Sequence, residues 1–305
     1  MEKIISIENL KKTFKDINAV DDISFYVEKG KLFSFLGTNG AGKSTTINML
    51  CTLLQKNSGN VIIDNCVLGI DDEKIRSKIG VVFQESILDP LLTVKENILT
   101  RGKLYNLSNE ELKTSLQFVI QATDIQDFIN RPYGKLSGGQ RRRADIARAL
   151  IHKPTILFLD EPTTGLDPKT RELVWSTISK LQKEYQMTIF LTTHYMEEAA
   201  TSDYIVIINH GKIIAQGTPY DLKEKFSQDT LRIKPLDSMS VQSLLEHYNY
   251  SFLVKNNLII ANIQDTKKII PLLQEVEPFI ESFEVIHGSM NDAFIEITKG
   301  DENYD

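Results

Sequence analysis

The chain has 305 residues, 41% of them hydrophobic and 25% charged, enough to bury a sizeable core and to hold more than one domain. A net charge of -6 disfavours a general nucleic-acid binder; no stretch approaches roughly eighteen consecutive apolar residues, and MEKIISIENLKK has no apolar segment behind a basic one, so neither a secreted nor a membrane-spanning chain is expected. Only Cys51 and Cys66 occur, which suit neither a zinc site nor a disulfide framework and read as small buried hydrophobes in a reducing compartment.

Apolar and polar residues alternate over Ile4 to Ile7 and through Ile23, Phe25 and Val27, which predicts two half-buried strands. Phe14 lies in their connection. A ring there is either core filler, which its position favours, or a flat platform for a base. After the Lys29-Gly30 turn comes an apolar strand, Leu32 to Leu36, and then Gly37 to Thr45 reads GTNGAGKST before a helix beginning near Ser44. Strand, glycine loop and helix in this order are a P-loop. Gly40 and Gly42, set among Asn39 and Ala41, leave backbone N–H groups free to turn toward phosphate oxygens, with the partial positive charge of a helix N-terminus behind them. Lys43 would reach the β- and γ-phosphates, Ser44 would offer its hydroxyl to Mg²⁺, and Thr45 would hydrogen-bond the α-phosphate.

Asn57 to Asn60 marks a turn, followed by a short strand at Val61 to Ile63, a helix from about Asp72 to Lys78 and a strand from Ile79 to Phe83 that ends at Gln84. A glutamine there is either a solvated terminus or, at the ligand edge of a parallel sheet, a contact to the bound molecule. From about residue 85 to 153 the pattern becomes helical. Thr93 with Glu96 and Ser108 with Glu111 form capping boxes, and Leu136 to Gln140 reads LSGGQ ahead of a helix with Ala144, Ala147, Leu150 and Ile151 on its apolar stripe. Ser137 and the two glycines after it open a second helix N-terminus that can receive an anion. Arg141, Arg142 and Arg143 read as a solvated, ion-paired face rather than a nucleic-acid contact.

The apolar run Thr155 to Asp160 closes on two acids, Asp160 and Glu161. It fits a central parallel strand whose carboxylates lie at the ligand edge, one to hold Mg²⁺ and the other to take a proton from an attacking water. Pro162 to Pro168, which includes Asp167, is a turn-rich loop before a helix from about Lys169 to Glu184. The strand Thr188 to Thr192 then leads to His194, again at the ligand edge. Tyr204 to Ile208 and Lys212 to Ala215 form a hairpin, and Thr218-Pro219 opens a helix. From Asp229 the order becomes β-α-β-β-α-β, a split ferredoxin-like unit, with a last helix from near Ser289 and a tail, Gly300 to Asp305, expected to fray. It carries no catalytic constellation and is assigned to binding or regulation.

The phosphate loop, Gln84, LSGGQ, LFLDE and His194 together resemble the ATP-binding cassette subunits of membrane transporters, over nearly the whole first 225 residues. LSGGQ is the most specific of these, since other P-loop families lack it. The resemblance implies a P-loop NTPase core of RecA-like α/β fold with an antiparallel β subdomain and an inserted helical subdomain, over residues 1–228, followed by the ferredoxin-like α+β domain at 229–305. It makes Phe14 the aromatic that stacks on adenine, reversing the positional preference. Asp160 becomes the aspartate of the metal shell, Glu161 the general base, Gln84 the sensor of Mg²⁺ and of the attacking water, His194 the switch histidine on the γ-phosphate, and Asp167 the aspartate of the following loop. Ser137, Gly139 and Gln140 would close over ATP held by the P-loop of a second cassette, a copy of this chain or a close homologue.

QESILDPLLTVKENI (84–98), TTHYMEEA (192–199) and SMNDAFIEITKG (289–300) resemble the daunorubicin-resistance type, which serves exporters of the ABC-2 type. Thr38 stands where proline is usual, and SMNDAF only loosely matches the usual acidic-aromatic ending. The implied protein is a cytoplasmic Mg²⁺-dependent ATPase, peripheral on the inner face of the cell membrane. ATP-driven pairing of cassettes would power a separate permease, and no nucleic acid is involved. The alternatives are a soluble cassette ATPase acting on nucleic acid or ribosomes, and a regulatory or immunity module that binds ATP.

Overall fold

The computed structural model describes residues 2–263 and 266–302, and the chain falls into two units, Met1–Thr218 and Pro219–Asp305. In chain order the first unit runs β1 (Lys3–Phe14), β2 (Ile17–Glu28), β3 (Leu32–Gly37), α1 (Lys43–Leu50), β4 (Ser58–Ile63), β5 (Cys66–Val67), α2 (Asp72–Lys78) and β6 (Ile79–Val82). It continues with α3 (Val94–Lys103), α4 (Asn109–Thr123), α5 (Gly138–Leu150), β7 (Ile156–Asp160), α6 (Pro168–Tyr185), β8 (Thr188–Thr193), α7 (Met196–Ala199), β9 (Tyr204–Asn209) and β10 (Lys212–Gly217).

Strands β3, β7 and β8 are buried at every position, the pattern of central strands covered on both faces. They lie in a six-stranded sheet of order β10-β9-β3-β8-β7-β6, parallel except at the β10 edge. A second, antiparallel sheet of order β2-β1-β4-β5 packs on one face. Its Phe25 stacks on Phe33 with ring centroids 5.3 Å apart, and Phe33 meets Phe190 at 4.9 Å. The other face is covered by α3 to α6 through Ile98, Val119, Ile146 and Ile178. Each such buried side chain contributes about 1.5–3 kcal/mol, so the strand ends are held from both sides.

Register brings the site to one edge: Leu36 pairs with Thr193 and Asp160 with Thr192, so β3, β7 and β8 end side by side. Both expected capping boxes form, Thr93 with Glu96 and Ser108 with Glu111, and a third forms at Ser137 with Gln140. Each cap stabilises its helix by about 1 kcal/mol.

The second unit comprises α8 (Pro219–Phe226), β11 (Asp229–Pro235), α9 (Ser238–His247), β12 (Phe252–Lys255), β13 (Leu258–Ile263), α10 (Ile270–Val276), β14 (Ile280–Ile286) and α11 (Met290–Glu302). Its strands are all antiparallel, in the order β12-β13-β11-β14, and Leu231, Ile233, Ile259 and Ala261 pack against Val241, Leu245, Leu272 and Val276. The break precedes the expected boundary at 228/229 because α8 packs on α11. Helix α10 begins at Ile270, with Pro271 in its first turn, where a proline is tolerated. Residues 303–305 of the tail lie outside the described residues. Among the described residues no helix is long and apolar enough to cross a membrane.

Candidate active site

The loop between β3 and α1 curls because Gly42 takes a left-handed φ of 108°, and a Cβ there would stand 2.3 Å from the Ala19 carbonyl oxygen on β2. Lys43 is buried and folds back over this loop, its Nζ donating to the carbonyls of Gly37 (2.8 Å) and Thr38 (3.0 Å). An ammonium carries three protons, and the third faces the Glu161 carboxylate, Oε1 at 3.6 Å. Burial holds the Lys43 pKa below the ordinary lysine range, opposed by the neighbouring Glu161 and Asp160. The N-terminus of α1 has no side-chain cap and no acid in its first turn, so its N–H groups remain open to an anion.

Glu161 follows β7 with a φ of 45°, a left-handed conformation rare outside glycine that costs about 1–3 kcal/mol. Its backbone is held on both sides. The Glu161 N–H donates to the carbonyl and hydroxyl oxygens of Thr192, each at 3.1 Å, and its carbonyl accepts from Arg142 at 3.3 Å. Oε2 accepts from the Thr164 hydroxyl at 3.1 Å, while Oε1 lies 3.3 Å from Nδ1 of His194. That approach is not an aligned hydrogen bond, and Nδ1 is buried without a hydrogen-bond partner.

Asp160 is buried and accepts from the Thr192 hydroxyl. Burial raises its pKa above the usual carboxylate range, and Glu161 adds to the rise, while the Thr192 hydrogen bond, Lys43 and Arg142 oppose it. Behind His194, the buried carboxylate of Glu198 accepts from the hydroxyls of Thr163 and Thr193, tying α7 to the loop after β7 and to the end of β8.

A cavity of about 540 Å³ is lined by Ala19, Asn39, Gly40, Gly42, Lys43, Ser44, Thr45, Gln84, Glu161, Thr164 and His194. Seven of the expected residues outside the second helix N-terminus and Phe14 thus meet around the loop with Glu161 and His194, while Ala41 and Asp160 are buried just outside the lining. A larger cavity, about 790 Å³, lies within the second unit against Arg232 and Ile260 and holds none of the expected site residues. Phe14 is 45% exposed at the end of β1 with the Lys12 ammonium 5.1 Å from its ring centre, so it is not core filler.

Ser137, Gly139, Gln140 and Asp167 do not line the cavity. Ser137 Oγ accepts from the Gln140 N–H at 3.4 Å, Gln140 Oε1 accepts from the Ser137 N–H at 3.1 Å, and Gly139 is buried in the first turn of α5. Asp167 caps α6 by accepting from Thr170 N–H at 3.1 Å, and its hydrogen bonds with Thr170 hold its pKa below the usual carboxylate range.

The arginine run is the solvated, ion-paired face expected of it at exposed Arg141 and at Arg143, and departs from it at Arg142. Arg141 donates to the Gly134 carbonyl at 2.9 Å, and Arg143 donates to the Asp124 carbonyl at 2.7 Å and pairs with its carboxylate at 3.2 Å. Arg142 is buried and donates to the carbonyls of Phe83 (2.6 Å) and Gln84 (3.1 Å) as well as Glu161. The apolar stripe of α5 draws that side of the helix into the subdomain and takes Arg142 with it.

The ABC transporter family profile matches residues 20–164. The linearmycin resistance ATP-binding protein LnrL of Bacillus subtilis (strain 168) is 39% identical over 252 residues, covering 82% of this chain and 78% of the relative. The chain belongs to the ATP-binding cassette transporter family. The daunorubicin/doxorubicin resistance ATP-binding protein DrrA of Streptomyces peucetius is 37% identical over 239 residues, covering 78% of the cassette chain and 72% of the relative. The dimeric post-hydrolysis cassette MJ0796, bound to ADP and Pi, superposes with a TM-score of 0.63 at 31% identity, over 70% of this chain and 98% of its own. The cassette is an ATP-binding ATPase of P-loop α/β fold.

Sequence reading named the loop and the acids but missed Ala19, Thr164, Thr192 and Arg142. Only the Thr192-Thr193 pair immediately before His194 offered a signal, as hydroxyls at a strand's ligand edge.

Proposed function

We propose that the chain is the ATP-hydrolysing subunit of an exporter, working as a pair of cassettes beneath a separate permease of the ABC-2 type. The observation that carries this reading is the Glu161 carboxylate held between His194 and Lys43 at the mouth of an uncapped P-loop helix. The resistance and export names of the relatives favour an exporter. The work would be done on the cytoplasmic face of the membrane.

The donor set fits Mg²⁺. A buried carboxylate, a hydroxyl and an amide oxygen, from Asp160, Ser44 and Gln84, are hard oxygen ligands, and no cluster of three or more His, Cys, Asp or Glu among the described residues offers a cage. An ion of this kind takes one or two protein ligands and completes its shell with water and substrate phosphate. When bound, Mg²⁺ would supply positive charge to the β- and γ-phosphate oxygens.

The residues then divide the work. N–H groups of the loop and of α1, at Asn39, Gly40, Gly42, Ser44 and Thr45, hold the phosphates, and that of Ala41, which donates to the Thr38 carbonyl at 3.2 Å, would join them by giving up that bond. Lys43 stays charged and donates a hydrogen bond through its third N–H to a phosphate oxygen. Glu161 Oε1 accepts the proton of the attacking water, Gln84 and His194 orient that water and the γ-phosphate, and Phe14 stacks on adenine. Ser137 and Gln140 use their side chains on their own helix start, which leaves the remaining N–H groups of α5 to face outward. They would meet the ATP of a facing cassette, a second copy or close homologue, with Gly139 and Asp167 at the same interface. The dimeric state of the MJ0796 cassette supports this arrangement.

The second unit has the strand and helix order of a ferredoxin-like domain, which we assign to binding or regulation. All three guanidinium groups of the one basic run weighed for nucleic-acid contact are engaged within the chain, so no observation favours that alternative.

The test is Glu161→Gln in purified full-length protein with MgATP. Loss of a general base removes on the order of a hundredfold or more in rate. A variant that hydrolyses ATP as fast as the parent would remove Glu161 from the role.

A further inference from the structure

Arg142 stands in the second turn of α5, five positions after Ser137, and its side chain leaves that helix to reach two other parts of the chain. One guanidinium nitrogen donates to the carbonyl of Phe83 at 2.6 Å, and the other to the carbonyls of Gln84 at 3.1 Å and Glu161 at 3.3 Å. The residue is only 7% exposed. Three residues on, Asp145 accepts from the Ser86 hydroxyl at 2.7 Å and from the Tyr133 hydroxyl at 3.2 Å. Two buried side chains of one helix thus grip the segment from Phe83 to Ser86, and one of them reaches on to the backbone of Glu161.

A planar fork with fixed donor directions can span carbonyls of different elements, which a lysine ammonium does less well. Removing the fork would take one donor from each of three carbonyls, leaving that of Glu161 with only the Thr164 N–H at 3.3 Å. The Glu161 carbonyl matters most, because that residue sits in a left-handed conformation held by Thr192 on its N–H side and, on its carbonyl side, by the Thr164 N–H of its own loop and by Arg142, the one tie to α5. A small rotation there swings the whole carboxylate.

We infer that Arg142 is a positioning residue for hydrolysis: it makes the aim of the Glu161 carboxylate, and the placement of Gln84, depend on how the LSGGQ-bearing helix is seated. This rests on the reading of Glu161 as the base. Movement of α5, such as engagement of its N-terminus by a facing cassette, is then felt at Glu161 and Gln84 without any contact between Ser137 and either residue in the same chain. ATP binding itself depends on the P-loop, which Arg142 does not touch.

The experiment compares Arg142→Met, which keeps length and loses every donor, with Arg142→Lys in the full-length protein. Misaiming a reacting group by about 1 Å costs on the order of a hundredfold. The expected result for Arg142→Met is a fall in kcat of about that size, with KM for ATP within about threefold of the parent. Arg142→Lys should recover part of the rate. In a Glu161→Gln background, where no base remains to be aimed, Arg142→Met should cause a much smaller further loss in single-turnover hydrolysis than in the parent, limited to what the placement of Gln84 contributes. An unchanged kcat, a loss carried wholly by KM, or a loss that multiplies with that of Glu161→Gln would each overturn the proposal. Should Arg142→Met not fold, Arg142→Lys alone decides by the same split between kcat and KM. Full activity of Glu161→Gln sinks the base reading itself; an inactive Glu161→Gln beside fully active Arg142 variants sinks only the role of Arg142.

Discussion

His194 Nδ1 stands 3.3 Å from Glu161 Oε1, the same oxygen that the Lys43 ammonium approaches at 3.6 Å. The imidazole nitrogen is buried and makes no aligned hydrogen bond within the chain, and His194 lines the cavity. His194→Ala removes this neighbour and leaves the P-loop untouched. We expect kcat for ATP hydrolysis to fall by about tenfold to a hundredfold while KM changes little. Phosphate release at several ATP concentrations reads both constants. A rise in KM at constant kcat would restrict His194 to binding.

The two loop glycines should behave differently. Gly40 has φ 82° with open space where a Cβ would sit, whereas Gly42 has φ 108° and a Cβ there would stand 2.3 Å from the Ala19 carbonyl oxygen. Gly40→Ala carries only backbone strain of about 1–2 kcal/mol and weakens ATP binding by about tenfold. Gly42→Ala forces β2 and the loop apart. We expect a fluorescent ATP analogue to bind Gly40→Ala measurably and Gly42→Ala not at all, with near-ultraviolet circular dichroism preserved in both. Equal affinities would contradict this account of the loop.

His152 sets an acid limit on stability. Burial pushes its pKa down from 6.5 to about 4, helped by Arg101 and Arg148, while its Nε2–H donates to the Ile79 carbonyl at 3.0 Å and its ring stacks on Tyr105 at 3.9 Å. Between these two values the unfolded chain binds the proton and the folded one does not, so stability falls as pH falls through that window. The full loss is roughly 3 kcal/mol, complete near pH 4. Urea unfolding of His152→Phe, which keeps a stacked ring without a titrating group, should show a shallower decline from about pH 7 to about pH 5. Parallel declines in parent and variant would mean that other groups set the acid limit.

What could be read from the sequence follows from where each constraint resides. GTNGAGKST was legible because phosphate binding by backbone N–H groups demands glycine and lysine at adjacent positions of one segment. The burial of Ile156 to Asp160 was legible from its unbroken apolar run. Contacts between distant segments were not. Ala19 closes over Gly42, Thr192 holds Asp160 and Glu161, and Arg142 ties α5 to both Gln84 and Glu161, all through tertiary register. Composition gave Arg141 to Arg143 a charged and therefore solvated character, which holds for exposed Arg141 and for Arg143 beside the Asp124 carboxylate, whereas Arg142 is buried against backbone carbonyls. The strands of the antiparallel sheet ran longer than their alternation suggested, because Phe14 and Ile17 continue the pairing across the connection.

The central claim is that each ATP is served by the P-loop and Glu161 of one cassette and by Ser137 of another. Ser137→Arg alone should abolish hydrolysis while ATP still binds, and Glu161→Gln alone should also be inactive. Mixing the two inactive proteins and allowing subunits to exchange tests the claim directly. A mixed pair holds one intact site, so in a symmetric dimer an equal mixture should recover up to about a quarter of the parent rate. No recovery at any ratio, with mixed dimers verified by mass, would place Ser137 in the same site as Glu161 of its own chain and contradict the account.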